Sequence, residues 1–277
     1  MISIEIPVSW GNHLLETLES IRSQDFQDYE ITASVSSKEE SVGDILSEYG
    51  VKYCDGGYNI LSKRYISHKL SKGDYALLLD ETRVLGKGVL ETLSNLENDM
   101  AVIDERDYGD TFWVRASNHD RMNAIELVGR DTSIILDGYV LPRFFRARIL
   151  TDALERVRRN LSDFTFERVL MEDHQIISVE ALKESRDIAI VKNCHIYHHG
   201  DTSLIDIARK YYKYGKYNRI LKNTLYEKTT RVGNRKRKFV SDNELSVFML
   251  EFARGLPFFA GIAVSNICSK LYRSEWQ

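Results

Sequence analysis

Short apolar segments and amphipathic helical segments alternate through about the first hundred residues, and this alternation constrains the fold most strongly. Four segments have the apolar pattern of strands, namely Ile2–Val8, Tyr29–Val35, Val51–Cys54 and Tyr75–Leu79. Between them lie segments with apolar residues three or four positions apart, namely His13–Ser23, Ser41–Tyr49 and Asn59–Ser71. Strand–helix alternation at this spacing predicts an α/β fold with a parallel sheet and right-handed crossovers.

An acidic pair follows the fourth predicted strand. The strand sequence YALLL is apolar throughout, as expected for a strand buried on both faces. Asp80 and Glu81 come directly after it, at the carboxyl end, where ligands bind in sheets of this kind. Carboxylates there can hold a divalent cation or bond a ribose, and the alternative is the solvated start of a loop.

The middle of the chain is less regular and its end is helical. Two segments in the middle predict strands, Ala101–Asp104 and Phe112–Arg115, followed by a helix over Leu150–Asn160 and a late strand over Ile188–Val191. No internal repeat, low-complexity tract or linker interrupts the chain. We therefore expect one continuous domain over residues 1–205 and a basic and apolar helical extension over residues 206–277.

Glu172 and Asp173 lie between apolar residues rather than in a run of charges. A carboxylate in a partly desolvated setting can act as a general base, because desolvation raises its pKa towards the working pH. The alternative is the first turn of a helix, where acidic side chains interact favourably with the helix dipole.

Histidines concentrate in the segment that ends at His199. Four of the 7 histidines are His174, His195, His198 and His199. Adjacent residues of an extended segment point to opposite sides, so at most one of His198 and His199 is expected to face a site. A neutral imidazole can bind a metal or a phosphate, and the alternative is a structural, hydrogen-bonded histidine.

The net charge of −3 conceals a strong asymmetry. Twelve cationic residues and one anionic residue lie between Arg209 and Lys238, a net +11, so the remainder of the chain carries −14. At the start of this stretch Arg209, Lys210, Lys213 and Lys216 interleave with tyrosines. Such interleaving suits nucleic acid, phosphorylated lipid or membrane headgroups. The acidic balance elsewhere and the lack of a recognised nucleic-acid motif argue against a nucleic-acid partner.

Two apolar helices are predicted after the basic stretch, over Leu245–Ala253 and Leu256–Ile267. Their phenylalanines could face a membrane while the basic run meets anionic headgroups, or the helices could cover the core or form a homodimer interface. The longest uncharged run, Gly255–Ser269, falls short of the roughly 20 residues that span a bilayer.

The termini and cysteines predict the compartment. MISIEIPVSW lacks a basic start and a long apolar stretch, so we expect no secretory signal. The 3 cysteines are widely spaced and form no CxxC pair, which indicates a reducing compartment. These features predict a cytoplasmic protein, peripheral to the inner face of the membrane.

Several short motifs occur in order between residues 2 and 220. A strand ending in proline precedes a helix that carries Leu15, Thr17, Leu18, Ser20, Ile21 and Gln24. The motifs that follow are Gly57, Asn59 and Arg64; Lys72-Gly73-Asp74-Tyr75; LLLDET; Pro142-Arg143-Phe144-Phe145-Arg146; Glu172-Asp173; His199 with Ser203-Leu204; and Arg209 to Gly215. This ordered set resembles the family 2 glycosyltransferases, which have the GT-A fold.

The resemblance implies a Rossmann-like, mixed and mostly parallel sheet flanked by helices. It also implies inverting transfer of a sugar from a nucleotide-diphosphate sugar to a hydroxyl of a glycan or lipid-linked glycan. Asp173, beside Glu172, would deprotonate the acceptor. The implied nucleotide-binding residues are Pro7, Val8, Ser9, Ser34, Ser36, Arg64, Asp80 and Glu81. The implied counter-charges to the diphosphate are Arg83, His199, Arg209 and Lys210, and the implied ligands of a magnesium or manganese ion are Asp80 and His199.

Two positions depart from the family pattern. Thr82 stands where the family has a second metal-binding Asp, and we hypothesise that Arg83, helped by Arg209 or Lys210, supplies part of the cation's charge. The second strand ends in serines, including Ser34 and Ser36, instead of an Asp that bonds the base. The alternative function is therefore a degenerate GT-A domain that binds a nucleotide or glycan without catalysis.

Overall fold

The computed structural model describes residues 1–36, 40–130, 140–227 and 244–271. The strands are β1 Ile2–Val8, β2 Tyr29–Val35, β3 Lys52–Asp55, β4 Tyr75–Leu78, β5 Arg83–Leu85, β6 Met100–Asp107, β7 Phe144–Arg146 and β8 Ile188–His198. The helices are α1 Leu14–Arg22, α2 Glu40–Glu48, α3 Ile60–Leu70, α4 Val89–Ser94, α5 Phe112–Arg130, α6 Ala147–Asn160, α7 Asp163–Phe166, α8 Asp173–Ala181, α9 Leu204–Tyr217 and α10 Glu244–Leu271. A 3-10 turn, Asn218–Leu221, follows α9.

The strands form one sheet in the order β3-β2-β1-β4-β7-β6-β8-β5. The strands β3, β2, β1 and β4 are parallel to one another. β7 runs antiparallel to both β4 and β6, and β8 runs parallel to β6. The short β5 pairs antiparallel with β8. The expected α/β fold with a mixed, largely parallel sheet and a C-terminal helical extension is confirmed.

Helices cover both faces of the sheet, and β4 shows how. Leu77 belongs to the apolar cluster with α1, α2 and α4, whereas Leu78 belongs to the cluster with α3, α6 and α8. Successive side chains of a strand point to opposite faces, so a strand between two helical layers is apolar at every position. This burial on both faces explains the continuous run YALLL.

The parallel strands bring their carboxyl ends to one edge of the sheet. β1 pairs with β2 from Ile2 opposite Tyr29 to Val8 opposite Val35, and it pairs with β4 on its other side. All seven residues of β1 are buried. The segments after Val8, Val35 and Leu78 therefore start from the same edge, where the sequence predicted a site.

A predicted strand and a predicted pair of helices differ from the structure. Phe112–Arg115 is the first turn of α5 rather than a strand, and the buried residues Val114, Ile125 and Val128 follow helical spacing. The window holds three apolar residues followed by Arg115, which is too short to distinguish the two periods. The two apolar helices predicted near the C-terminus are one helix, α10, which passes through Pro257.

The α10 helix is long enough to alter the expectation about membrane spans. Within the part of the chain that the structure describes, Leu245–Ile267 is the one helical window long and apolar enough to cross a bilayer by length and composition, at 23 residues and a mean hydropathy of 1.6. The uncharged run Gly255–Ser269 was too short to span a bilayer because it ended at charged residues, whereas the helix continues through Arg254 and Glu251.

Close backbone packing joins α9 to α10. A Cβ atom placed on Gly215 would lie 1.9 Å from the carbonyl oxygen of Phe258, and one on Gly261 would lie 2.2 Å from that of Tyr212. Such distances are far inside van der Waals contact, so glycine at both positions permits the two helices to approach this closely.

Replacing Gly215 with alanine is expected to destabilise the chain by about 1–3 kcal/mol, because the new methyl group overpacks the α9–α10 contact. Gly255→Ala is the matched control, since a Cβ there meets nothing within 4 Å. We expect the control to be neutral or to stabilise by up to about 1 kcal/mol through helix propensity. Urea unfolding followed by circular dichroism measures both, and equal effects of the two substitutions would contradict the packing.

Candidate functional site

A cleft of about 590 Å³ opens beyond the carboxyl ends of β1 and β4. Its polar lining includes Asp80, Arg83, Glu105, Arg143, Asp173 and His174. A second cleft of about 900 Å³ adjoins it and is lined on its outer side by Trp10, Ser36, Tyr58, Lys63, Arg209 and Lys213. Both clefts share lining from Ser9, Ile60, Glu81, Leu170, Lys210 and Tyr214, so they form one continuous depression.

Arg64 connects the two most conspicuous carboxylates of the cleft. Its Nε donates to Asp173 Oδ2 at 2.5 Å and its Nη2 donates to Asp80 Oδ1 at 2.5 Å. The guanidinium is fully buried. It thereby fixes α3, the segment after β4 and the first turn of α8 relative to one another.

Three further arginines surround the same carboxylates. Asp80 Oδ2 contacts the guanidinium of Arg83 and lies 3.6 Å from Arg143 Nη1. Glu105 accepts from Arg83 Nε at 3.3 Å, from Arg121 Nη1 at 3.1 Å and also from Arg143. Arg121 Nη2 also pairs with Asp107 Oδ1 at 3.1 Å, so four guanidinium groups face the four carboxylates of Asp80, Glu105, Asp107 and Asp173.

His174 shows how strongly positive this environment is. Arg64 Nη2 lies 2.6 Å and Arg143 Nη1 3.0 Å from its Nε2. Because a guanidinium only donates, Nε2 must accept, and the proton of the neutral ring is on Nδ1. Burial and the neighbouring arginines hold the pKa of His174 well below its usual value.

The pKa values of Arg83 and Arg143 are lowered as well, whereas that of Arg121 is raised, because the carboxylates of Asp107 and Glu105 outweigh the effect of its burial. Burial, followed by repulsion from Arg143, lowers the pKa of Arg83 to about 9. Burial also lowers the pKa of Arg143, with repulsion from Arg64 opposing the attraction of Glu105. The two lowered pKa values result first from burial, so Arg83 and Arg143 are poorly hydrated cations held beside carboxylates.

Two buried donors in this region have no acceptor among the described residues. They are Nη1 of Arg64 and Nδ1 of His174. A buried donor without a partner costs free energy, and an anionic ligand or a water would satisfy it. The donor set of the cleft therefore matches an anion such as a diphosphate.

A divalent cation does not fit at Asp80. Both of its oxygens face guanidinium groups, Thr82 supplies no carboxylate, and a metal ion would lie among positive charges. His199, the other predicted ligand, lies in a different group: His13, Glu16 and His199 have donor atoms within 4.8 Å of one another. Among the described residues, this group of three is the arrangement whose geometry could hold a metal.

His199 has its own neighbours in that group. Its Nε2 lies 2.8 Å from Glu16 Oε2, and its ring stacks on His13 with 3.8 Å between centroids. His198 pairs with Asp107, Nδ1 to Oδ1 at 2.8 Å. Both histidines border the cleft, because β8 ends at His198 and strand alternation no longer applies to His199. The expectation that at most one would face the site was wrong for this reason.

Glu81 anchors the loop that follows β1. Its carboxylate accepts from the backbone N–H groups of Ser9 at 3.1 Å, Trp10 at 3.2 Å and Gly11 at 2.8 Å. Glu81 borders both clefts, as expected of a nucleotide-binding residue, but its oxygens are already used by the loop. In this structure Glu81 therefore holds the loop after β1 in place.

The predicted nucleotide-binding residues divide into two groups. Pro7, Ser9 and Ser36 border the clefts. Val8 lies in the apolar core, and the hydroxyl of Ser34 donates to the carbonyl oxygen of Gly56 at 2.7 Å. The structure therefore places Val8 and Ser34 behind the site rather than at its surface.

Glu172 and Asp173 differ in environment although they are adjacent. Asp173 lines the cleft at the first turn of α8, whereas Glu172 is buried behind it at the helix cap. Burial raises the pKa of Glu172 to about 8, and the charge of Asp173 contributes in the same direction. Glu172 is therefore protonated at neutral pH, and Asp173 is the carboxylate available to a ligand.

The predicted diphosphate-binding residues all lie at the depression. Arg83 and His199 border the smaller cleft, Arg209 the larger, and Lys210 both. Lys210 Nζ also pairs with Asp201 Oδ2 at 3.1 Å. The second basic segment, Arg231 to Lys238, lies outside the described residues.

The polar residues that sequence reasoning did not assign to the site include Lys63, Glu105, Arg121, Arg143 and His174. Lys63 directly precedes the recognised Arg64, and its Nζ donates to Ser9 Oγ at 2.6 Å. His174 directly follows Asp173. Glu105 and Arg121 belong to the irregular middle of the chain, where no motif signalled them.

Comparisons with known proteins identify a shared fold. No protein-family model matches the chain, and no curated protein sequence matches it. The crystal structure of residues 1–349 of S. aureus TarS in complex with UDP-GlcNAc has a TM-score of 0.52 at 14% identity, covering 83% of this chain and 69% of TarS. This likeness confirms the expected GT-A-type, Rossmann-like nucleotide-binding fold, and at this identity it concerns the fold alone.

Two other solved structures are less similar. A second structure of the same TarS segment has a TM-score of 0.49 at 12% identity, covering 100% of this chain and 75% of TarS. The 2-C-methyl-D-erythritol 4-phosphate cytidylyltransferase of Thermus thermophilus has a TM-score of 0.39 at 16% identity, covering 69% of this chain and 87% of that enzyme.

The charge of Lys63 is expected to make anion binding depend on pH. Burial lowers the pKa of Lys63 to about 8, although Glu81 opposes the shift. Its ammonium group is therefore charged below that pH and loses its proton as the pH rises. We expect the affinity for UDP, measured by calorimetry, to fall by roughly three- to tenfold between about pH 7 and pH 9.

Lys63→Gln should remove this pH dependence and bind UDP weakly throughout. Lys69→Gln is the matched control on the same helix, since Lys69 is half exposed and pairs with Glu155. An unchanged pH profile in Lys63→Gln would show that another group titrates.

Proposed function

We propose that the chain is an inverting glycosyltransferase, which moves a sugar from a nucleotide-diphosphate sugar to a hydroxyl of a glycan or lipid-linked glycan. The observation that carries the proposal is the Arg64 bridge, which holds Asp80 and Asp173 together in a cleft rich in guanidinium groups. The similar TarS structure contains UDP-GlcNAc, which supports a nucleotide sugar as the donor.

The larger cleft suits the nucleotide. Trp10 and Tyr58 border it and are 69% and 67% exposed. The ring of Trp10 suits stacking on a base, whereas the guanidinium of Arg168 already lies 5.6 Å from the centre of the Tyr58 ring. Lys63, Arg209 and Lys213 border the same cleft and provide positive charge for phosphates. The sugar would then extend towards Asp80 and Asp173 in the smaller cleft.

Asp173 suits the role of general base. In the proposed step, the acceptor hydroxyl gives its proton to the carboxylate while its oxygen forms a bond to the anomeric carbon of the donor. The bond from that carbon to the diphosphate breaks on the opposite face, and its electron pair leaves with the nucleotide diphosphate. Attack opposite the leaving group inverts the anomeric configuration. Arg64 positions the carboxylate for this step.

Arginine and lysine side chains take the place of a metal at the diphosphate in this proposal. Asp80, the implied metal ligand, is occupied by Arg64 and Arg83. Arg83, Arg121 and Arg143 border the cleft where charge develops on the leaving group. Fixed donors in a site shielded from water stabilise such charge effectively.

A second candidate function is binding of a nucleotide or glycan without turnover. The observation that favours it is the same ion pair, because Asp173 is engaged by Arg64 in this structure. A carboxylate that remains fully engaged cannot accept a proton.

We also propose a cytoplasmic location for the protein. Cys54 and Cys194 are free thiols, and Cys194 is buried, which supports a reducing compartment.

Asp173→Asn is expected to lower the rate of UDP release from UDP-GlcNAc by about 10²- to 10⁴-fold, because the amide cannot accept the proton. Because Asp173→Asn also removes the charge that faces Arg64, binding of UDP-GlcNAc is measured by calorimetry as well, and the loss of rate should exceed any loss of affinity. Asp163→Asn is the matched control, since its side chain is 83% exposed on α7. The proposed base is wrong if Asp173→Asn turns over at the wild-type rate, and the binding-only alternative stands if the wild-type chain binds but releases no UDP.

A further inference from the structure

An apolar stripe runs along the outer side of α10. Seven large apolar side chains there are between 43% and 72% exposed, and most lie three or four positions from the next, namely Leu245, Phe248, Met249, Phe252, Leu256, Phe259 and Ile267. Three phenylalanines on one line are unusual on a surface in contact with water, and contiguous exposed apolar patches mark interaction sites.

The opposite side of α10 is covered by the chain itself. Val247, Leu250, Ala253 and Phe258 are buried. Arg254 pairs with Asp120 of α5, Nη1 to Oδ2 at 2.8 Å, and its guanidinium lies 5.5 Å from the ring centre of Tyr211. The stripe is thus the free face of a helix that is docked firmly on α5 and α9.

This docking argues against a transmembrane orientation for α10. A helix crossing the bilayer would have to leave the glycine contacts with α9 and carry Arg254 into the hydrocarbon, which costs several kcal/mol. A helix that keeps these contacts and exposes one apolar face is suited to lie in the plane of an interface.

Positive charge lies beside the C-terminal half of α10, where Arg219 Nη1 donates to Asn266 Oδ1 at 2.5 Å. The backbone of Lys216 lies beside Gly261 of α10, and the Lys216 and Lys222 side chains are exposed. Among the described residues, no carboxylate lies within salt-bridge distance of either ammonium group.

We propose that the apolar stripe of α10 and the basic residues beside it form a monotopic docking surface for an anionic lipid bilayer. The phenylalanines would enter the headgroup–acyl boundary while the lysines meet anionic headgroups. Charge favours lipid over a second copy of this chain, because a symmetric dimer through the stripe would bring two basic borders together.

Docking would set the orientation of the cleft relative to the membrane. Lys210, Tyr211 and Tyr214 of α9 border the cleft, and Tyr211 also contacts Arg254 of α10. One helix therefore separates the membrane surface from the proposed reaction site. That proximity suits an acceptor carried on a lipid, which is the part of this inference that rests on the proposed function.

Vesicle flotation of the full chain tests the docking surface. We expect the chain to float with vesicles of equal parts phosphatidylcholine and phosphatidylglycerol, and weakly with phosphatidylcholine alone. The double substitution Phe248→Ser and Phe252→Ser should weaken partition by roughly tenfold or more, because two apolar side chains are removed from the buried face. Lys216→Glu with Lys222→Glu should weaken binding to the anionic vesicles selectively, and added salt should do the same.

The double substitution Leu15→Ser and Phe164→Ser is the matched control, since both side chains are exposed outside α10. Thermal melting confirms that each variant folds. The proposal is overturned if the wild-type chain does not float with anionic vesicles, or if light scattering shows a dimer that the Phe248 and Phe252 substitutions dissociate. Flotation of Asp173→Asn separates docking from catalysis, because it should equal that of the wild type even if the proposed function fails.

Discussion

The Arg64 guanidinium is the interaction on which the site depends. It joins three segments that are distant in sequence: α3, the end of β4 and the start of α8. Each carboxylate it binds is poorly exposed, and removing one partner of a buried ion pair leaves a charge uncompensated at a cost of about 3–5 kcal/mol. The same contact therefore shapes the cleft and places Asp80 and Asp173 within it. Arg64 therefore fixes the positions of the two carboxylates and also balances their charge.

The remaining arginines extend that charge balance towards a ligand. Arg64, Arg83, Arg121 and Arg143 face the carboxylates of Asp80, Glu105, Asp107 and Asp173, and burial lowers the pKa of both Arg83 and His174. A divalent cation at Asp80 would have to displace guanidinium groups, whereas the phosphates of a diphosphate can accept hydrogen bonds from them. One physical interpretation therefore explains two features, the Thr82 that stands in place of a second Asp and the cluster of guanidinium groups. The arginines supply the positive charge that a metal would otherwise provide.

The sequence predicted the first half of the fold well because its strands and helices have clear, separate periods. Ile2–Val8 and Tyr29–Val35 have the same bounds in the structure as in the prediction. The strand predicted over Phe112–Arg115 was wrong because three consecutive apolar residues fit either period. The site was predictable where a motif marks a strand end, as at Asp80. Glu105 and Arg121 were not, because their role arises from the pairing of β6 with β7 and β8 and from the packing of α5, which no local pattern encodes.

The central claim is that arginine and lysine side chains, rather than a metal ion, supply the positive charge that binds the diphosphate. Calorimetric titration of UDP into the full chain tests it, first in excess chelator and then with manganese. Binding should be retained in chelator, with an affinity within about threefold of that with manganese. Binding that appears only with manganese and is lost in Asp80→Asn would contradict the claim and return Asp80 to the role of a metal ligand.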